Sequence, residues 1–394
     1  MAPASFSWLD HRDADADRVR EALAALDHPG TIDPLGFGAV RDAYSDLLFP
    51  GISTVQTRAR YFLFVPWIYQ QLDMDRVSPS DGLAVARERE RDLIEAMTRG
   101  AAGETGVIGI RSGRDTVQLP SQIYWGGLQT WGIRLFQGTR RDYVASMEQR
   151  RRAGAGSSTA WHPGIEEIDP PPTMLEDVGL TLLPKEADFL RSRVLSAADG
   201  TYLALLVRDG VGGDLGDAPW TGPVAMGAPP ELARDLRHAR LFSLVSWGAG
   251  LVYNAHLDRQ YVRDGEKGFD GRPAEILDEW IAAMEAERTE LADWQTEREE
   301  FWRTVARVNP RALRIRSFVD EWLTTATDDP SEVLKSPQVT QLLRNREAAI
   351  KGPRARLSSR QARETSSGPQ GMDRMTFRWN QVSAIVGDML SGVA

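Results

Sequence analysis

A mainly helical protein of two domains is what this sequence predicts, and three features predict it. Apolar residues recur at three- and four-residue spacing through most of the chain. Proline, serine and threonine repeatedly stand where such stretches begin, as helix starts require. A stretch rich in Arg, Gly, Ser and Pro, 150–173, separates two long periodic regions. On these grounds a helical domain spans 1–152, a Gly/Ser/Pro-rich linker 153–175 and a second helical domain 176–394.

The first element is a helix over 15–27, where Val19, Leu23 and Leu26 share a face. Helices follow at 38–48, 54–72 and 80–99. The helix over 54–72 comes after the turn Pro50-Gly51, with Ser53 and Thr54 as N-cap residue types. That start places Arg58 and Arg60 in its first turns, ahead of Tyr61, Phe62, Phe64 and Trp67. Between 106 and 119 two short apolar pieces flank a glycine turn, which predicts a small hairpin. Helix, hairpin and helix in that order would make a winged-helix unit in the first domain. Pro120 and Ser121 then start a helix through Tyr124, Trp125, Leu128, Trp131 and Leu135.

In the second domain Pro184 opens a helix through Leu195, and 202–207 reads either as a strand or as its continuation. Residues 210–216 form a glycine-rich loop. Pro229 and Pro230 open a helix whose interior, 241–253, is apolar on nearly every side and should run through the middle of the domain. From 273 to 306 one long amphipathic helix is expected, about 50 Å in length. Its seam repeats every seven residues, with Leu277, Met284, Leu291 and Val305 on one line and Trp280, Trp294 and Phe301 on the other. Glu287 and Arg298 interrupt that seam, which favours packing within the molecule over a free coiled coil. Finally 375–393 presents an apolar face of Phe377, Trp379, Val382, Ile385, Val386 and Leu390.

Composition sets further bounds. The 394 residues, 42% of them hydrophobic, suffice for well-filled cores. With no cysteine there is no disulfide framework, thiolate metal site or cysteine nucleophile. No basic segment leads into an apolar one near Met1, and the apolar stretches 61–69 and 241–253 fall short of the roughly 20 residues that a membrane span needs. A soluble, cytoplasmic protein without a membrane partner is therefore expected. The net charge of -9 opposes a surface that coats nucleic acid throughout, although a local basic patch can still supply such contacts.

No cofactor or metal is expected. A phosphate loop needs a terminal Lys followed by Ser or Thr, and no such arrangement occurs. In the loop 210–216, Leu215 occupies the place of a dinucleotide fingerprint's third glycine. The histidines His11, His28, His162, His238 and His256 are scattered, without a metal-holding pair on one helical face. Asp10 and His11 read either as an acid and a base or as part of a helix start, and an enzyme would need them to converge with His162 or His238.

Two constellations remain. Arg58 and Arg60 are candidates for contacts to phosphates or bases, the alternative being ion pairs with Asp42 or Asp46. The segment 344–363 carries Arg344, Arg346, Lys351, Arg354, Arg356, Arg360 and Arg363 against the single acid Glu347, whereas 278–300 is strongly acidic. Lys351, Arg354, Arg356, Arg360 and Arg363 are the expected nucleic-acid contacts there, the alternative being a solvated loop.

Several segments together resemble a known group: Ser7-Trp8-Leu9-Asp10, the block 36–69, Val107-Ile108-Gly109, 119–125, Trp161-His162-Pro163, 238–254 and Arg378-Trp379. They are similar to an uncharacterised bacterial family, classified only as a domain of unknown function, whose members occur near anti-phage defence genes, helicases and nucleases. The resemblance implies a context and supplies no catalytic residues. With the charge distribution, it leads to three expectations. The first is a non-catalytic component of a bacterial anti-phage defence or DNA-processing assembly that binds nucleic acid, DNA rather than RNA, through the basic C-terminal segment. The second is a scaffold for a helicase, nuclease or other defence subunit without DNA contact, and the third an enzyme of unrecognised design.

Overall fold

A computed structural model describes residues 33–101, 103–153, 160–210, 214–366 and 368–392. Asp10, His11, the helix over 15–27, Gly154 to Ser158 and the centre of the loop 210–216 lie outside the described residues. The described chain is mainly helical, as the periodicity requires. It contains no strand, only one isolated antiparallel bridge between Arg134 and Trp161.

Contacts divide the chain into two units. Unit 1 takes Pro50–Gly212 and Asn380–Ala394, and unit 2 takes Asp27–Phe49 and Gly213–Trp379. The change in composition at 153–175 lies inside unit 1 and does not coincide with this division. In chain order, α1 (Gly38–Leu48) belongs to unit 2. Unit 1 then holds α2 (Tyr61–Met74), α3 (Gly82–Gly100), α4 (Pro120–Thr130), α5 (Arg140–Ala145), α6 (Met147–Ala153), α7 (Pro163–Glu166), α8 (Pro184–Ala197) and α9 (Tyr202–Asp209). Unit 2 resumes with α10 (Pro223–Met226), α11 (Pro230–Arg263), α12 (Arg272–Ala286), α13 (Arg288–Thr296), α14 (Arg298–Val308), α15 (Arg316–Asp328), α16 (Pro337–Lys351) and α17 (Arg360–Glu364). The last helix, α18 (Trp379–Ser391), begins on the final residue of unit 2 and otherwise belongs to unit 1.

In unit 1, α2 is buried at every position from Tyr61 to Tyr69, because Tyr-Phe-Leu-Phe-Val-Pro-Trp-Ile-Tyr offers no polar face to water. Phe62 stacks on Trp131 with ring centres 3.9 Å apart, and Tyr69, Trp125, Tyr143 and Trp161 pack largely edge to face. The helix expected from Thr54 begins only at Tyr61. Side chains, one of them local and one from α4, hold the preceding residues in turns. Gln56 Oε1 accepts from the Ser53 N–H at 3.1 Å, and the Tyr124 hydroxyl accepts from the N–H groups of Thr57 and Arg58 at 2.8 and 3.1 Å. Arg58 and Arg60 therefore precede the helix.

The expected hairpin at 106–119 is absent, and with it the winged-helix unit. Gly106, Gly109 and Gly113 adopt φ values of 91°, 76° and 53°, which fold the segment into successive turns and a short 3-10 helix, Gly113–Asp115. The 202–207 stretch is a helix of its own, capped by Thr201, whose hydroxyl accepts from the Ala204 N–H.

Unit 2 is built around α11, whose 34 residues extend about 51 Å. It is buried almost continuously from Leu236 to Leu257, as expected for a helix apolar on nearly every side. Two indoles donate to its backbone: Trp280 Nε1 to the Leu244 carbonyl at 3.0 Å and Trp322 Nε1 to the Val245 carbonyl at 2.8 Å. Gly248 leaves the space in which the Trp280 ring lies.

The long helix expected over 273–306 is three helices, α12 to α14, turning at Glu287 and Glu297. Its seven seam residues are nevertheless all buried. A straight helix drifts about 20° per heptad from a seven-residue repeat, so two small turns keep the seam inward. Both turning residues pair with α11, Glu287 with Arg240 and Glu297 with Arg237.

Candidate nucleic-acid interface

Two arginines of the dense basic segment, Arg356 and Arg363, point into the protein. Arg356 is 3% exposed and donates to the Tyr261 hydroxyl and the Gly368 carbonyl. Arg363 is 6% exposed and bonded to Asp264 through Nε at 2.7 Å and Nη2 at 2.5 Å. Lys351 Nζ lies 3.2 Å from Glu347, and burial pushes its ammonium below the usual lysine range. Glu347 is itself fully buried. It accepts from the Tyr253 hydroxyl at 2.6 Å and from the N–H groups of Arg356 and Leu357 at 2.9 Å each. The segment is thus folded around a buried carboxylate, and Lys351, Arg356 and Arg363 close that fold. Arg354 is exposed, and Arg360 is exposed and paired with Glu364 one turn away.

In unit 1, Arg58 and Arg60 are also internal partners. Arg58 Nε lies 2.9 and 3.0 Å from the two oxygens of Asp388, and its Nη1 lies 3.3 Å from Glu104. Arg60 donates to Glu186 and to the Gly179 carbonyl, each at 2.8 Å, and is 6% exposed. The anticipated pairing with Asp42 or Asp46 falls instead to Arg378, 2.7 Å from Asp46 and 3.6 Å from Asp42. The structure thus withdraws five of the seven candidates, Arg58, Arg60, Lys351, Arg356 and Arg363, from a common phosphate-facing surface.

Another set of arginines does face outward. Residues 301–319 contain Arg303, Arg307, Arg311, Arg314 and Arg316 and no acid. The first two lie four residues apart on α14, and the next two lie three apart on the 3-10 helix Pro310–Ile315 that follows it. Both spacings repeat on one face. All four are exposed, and among the described residues none has a carboxylate oxygen within 4.0 Å. Arg303 Nε donates only to its own helix, at the Glu299 carbonyl. Arg316, by contrast, is tied to Glu299 and Asp320.

The local fold explains this orientation. Phe301, Trp302, Val305, Ala312 and Ile315 are at most 2% exposed, so the intervening arginines must point away. Trp302 Nε1 donates to Asp320 at 3.0 Å, and Asn309 Nδ2 reaches the Ala39 carbonyl at 3.4 Å, fixing the corner that Pro310 turns. The signal in sequence was the acid-free interval between Glu300 and Asp320. Arginine density alone pointed to 344–363, where Arg356 and Arg363 are buried and Arg354 and Arg360 are exposed.

Among the described residues, His162 and His238 serve local structure. In unit 1, His162 caps α7, accepting from the Gly164 N–H, and lies 2.7 Å from Arg193 Nη1; burial first and that guanidinium second lower its pKa. In unit 2, His238 is buried between the Tyr44 hydroxyl at 3.3 Å and Glu297 at 3.5 Å. Among the described residues no group of three or more His, Asp or Glu side chains could hold a metal ion, and no helix is long and apolar enough to cross a membrane.

A protein-family model matches residues 4–392, and its description is "Family of unknown function (DUF6361)". No curated protein and no solved structure matches the chain.

Proposed function

For this chain, which belongs to the family of unknown function DUF6361, we propose nucleic-acid binding through Arg303, Arg307, Arg311 and Arg314. One observation carries the reading: four exposed arginines on adjoining helical turns, none within 4.0 Å of a carboxylate oxygen of the described residues, Asp235 acting on Arg307 only from a longer distance. Guanidinium groups are weakly hydrated planar donors suited to phosphate oxygens. On a molecule of net charge -9, such a strip is a local excess of positive charge that a polyanion can meet. The setting we infer is a bacterial anti-phage defence or DNA-processing assembly in which a helicase or nuclease acts on the strand so held. The likeness of the Trp8, 36–69 and 238–254 blocks to a family found near such genes supports that setting.

The test is a fluorescence-anisotropy titration of labelled DNA with the wild-type chain and with the quadruple variant R303A/R307A/R311A/R314A. Four phosphate contacts give a slope of log affinity against log salt of about -3.6 on duplex DNA, and the variant should lose most of that slope. Equal affinity and equal slope for the two proteins would remove the proposal.

A further inference from the structure

We infer that the ligand of this strip is duplex nucleic acid, held by the phosphates of its backbone and read at no base. The inference rests on the function proposed above and names the class of ligand. Its first ground is spacing. Four residues of α-helix advance about 6 Å, and three residues of 3-10 helix also advance about 6 Å. Arg303 to Arg307 and Arg311 to Arg314 are therefore two pairs of like rise, close to the separation of successive phosphates along one strand. A duplex keeps its phosphates at a fixed repeat, being stiff over about 150 base pairs. A single strand does not.

The second ground is what accompanies the arginines. Proteins that hold single strands stack bases on exposed aromatic rings beside a basic track. The two aromatic residues on this strip, Phe301 and Trp302, are each 1% exposed. Their rings are spent inside unit 2, where Phe301 stands 5.2 Å from Trp294 and 5.5 Å from Phe242. Guanidinium groups and the Leu313 side chain, but no aromatic ring, reach solvent between Phe301 and Ile315, and phosphates are the groups that guanidinium can hold without stacking. Rigidity is the third ground: the Asn309 and Trp302 bonds fix the corner between the two pairs, so the four charges meet a regular backbone with little ordering cost.

The experiment measures anisotropy with a mixed-sequence DNA duplex, each of its separated strands, and a second duplex of unrelated sequence, all at one salt concentration. Expected are a duplex affinity about tenfold above that of either strand, affinities for the two duplexes that agree within about twofold, and loss of duplex preference in R303A/R307A/R311A/R314A. The charge-preserving set R303K/R307K/R311K/R314K should retain duplex binding, and circular dichroism of both variants verifies folding. Single strands binding as tightly as the duplex, or two duplexes differing by about tenfold, would overturn this inference while leaving nucleic-acid binding in place. Absence of binding to every probe would overturn both.

Discussion

Glu90 has almost no access to water and no basic side chain within bonding distance, so its charge is costly. It accepts from the backbone N–H and the hydroxyl of Ser121, both at 2.8 Å, while Arg140 bonds to that same hydroxyl at 3.1 Å. Burial pushes its carboxyl up from 4.5 to about 6, the two Ser121 bonds and Arg140 opposing the rise. The folded chain therefore holds this proton more tightly than the unfolded chain does. The associated stability is fully present below about pH 4.5 and is lost as pH rises through about 6, a difference of about 2 kcal/mol. Urea unfolding at pH 4.5 and pH 7 should show Glu90→Gln less sensitive to this interval than the wild type by that amount, and matching pH dependence in the two proteins would refute it. A second expectation separates structural from surface arginines. Arg60→Ala strands Glu186, which is 1% exposed, and should cost about 3 kcal/mol without altering DNA affinity per folded molecule. Arg303→Ala, whose side chain bonds only to its own helix, should change stability by less than about 0.5 kcal/mol yet weaken that affinity.

Among the elements, Gly248 on α11 gives the clearest test of packing. A methyl group there would overlap the Trp280 ring, whose Nε1 donates to Leu244 one turn earlier. Alanine favours a helix over glycine by about 1 kcal/mol, but overpacking a close-packed aromatic costs about 1–3 kcal/mol and here displaces a rigid bicycle. Gly248→Ala is expected to be destabilising by about 2 kcal/mol net, read as a lower denaturation midpoint; an unchanged or higher midpoint would show that the indole moves aside freely. The elements also show what a linear pattern conveys. Leu277, Trp280, Met284, Leu291, Trp294, Phe301 and Val305 were legible as one buried seam because helical periodicity is local. The turns at Glu287 and Glu297 were not, since they answer to Arg240 and Arg237 on another helix. Ser53 and Thr54 looked like caps for the same local reason, and lost to the Tyr124 hydroxyl from a segment far along the chain. The apolar pairs near Ile108 looked extended, while three glycines at positive φ coil them.

For the whole molecule, the net charge of -9 conveys little without the pairing that lies beneath it. Segment 344–363 is dense in arginine, but Glu347 and Asp264 withdraw much of its charge, and the bond to Asp264 spans about a hundred positions of sequence that composition cannot bridge. The strip from Arg303 to Arg314 is less conspicuous, and its exposure follows from Phe301, Trp302 and Ile315 facing inward. The helical class was thus legible, and the accessible charge became legible only through side-chain direction.

Each unit is assembled from separated stretches, with crossings at 49/50, 212/213 and 379/380. During synthesis on a ribosome, α1 emerges first and must wait for 213–379 before unit 2 can close. Unit 1 lacks Asp388, the partner of Arg58 and of the Ala59 N–H, until α18 has left the exit tunnel. Nascent chains arrested before residue 380 should accordingly be cut readily by protease within 50–212, and should gain resistance once α18 is released.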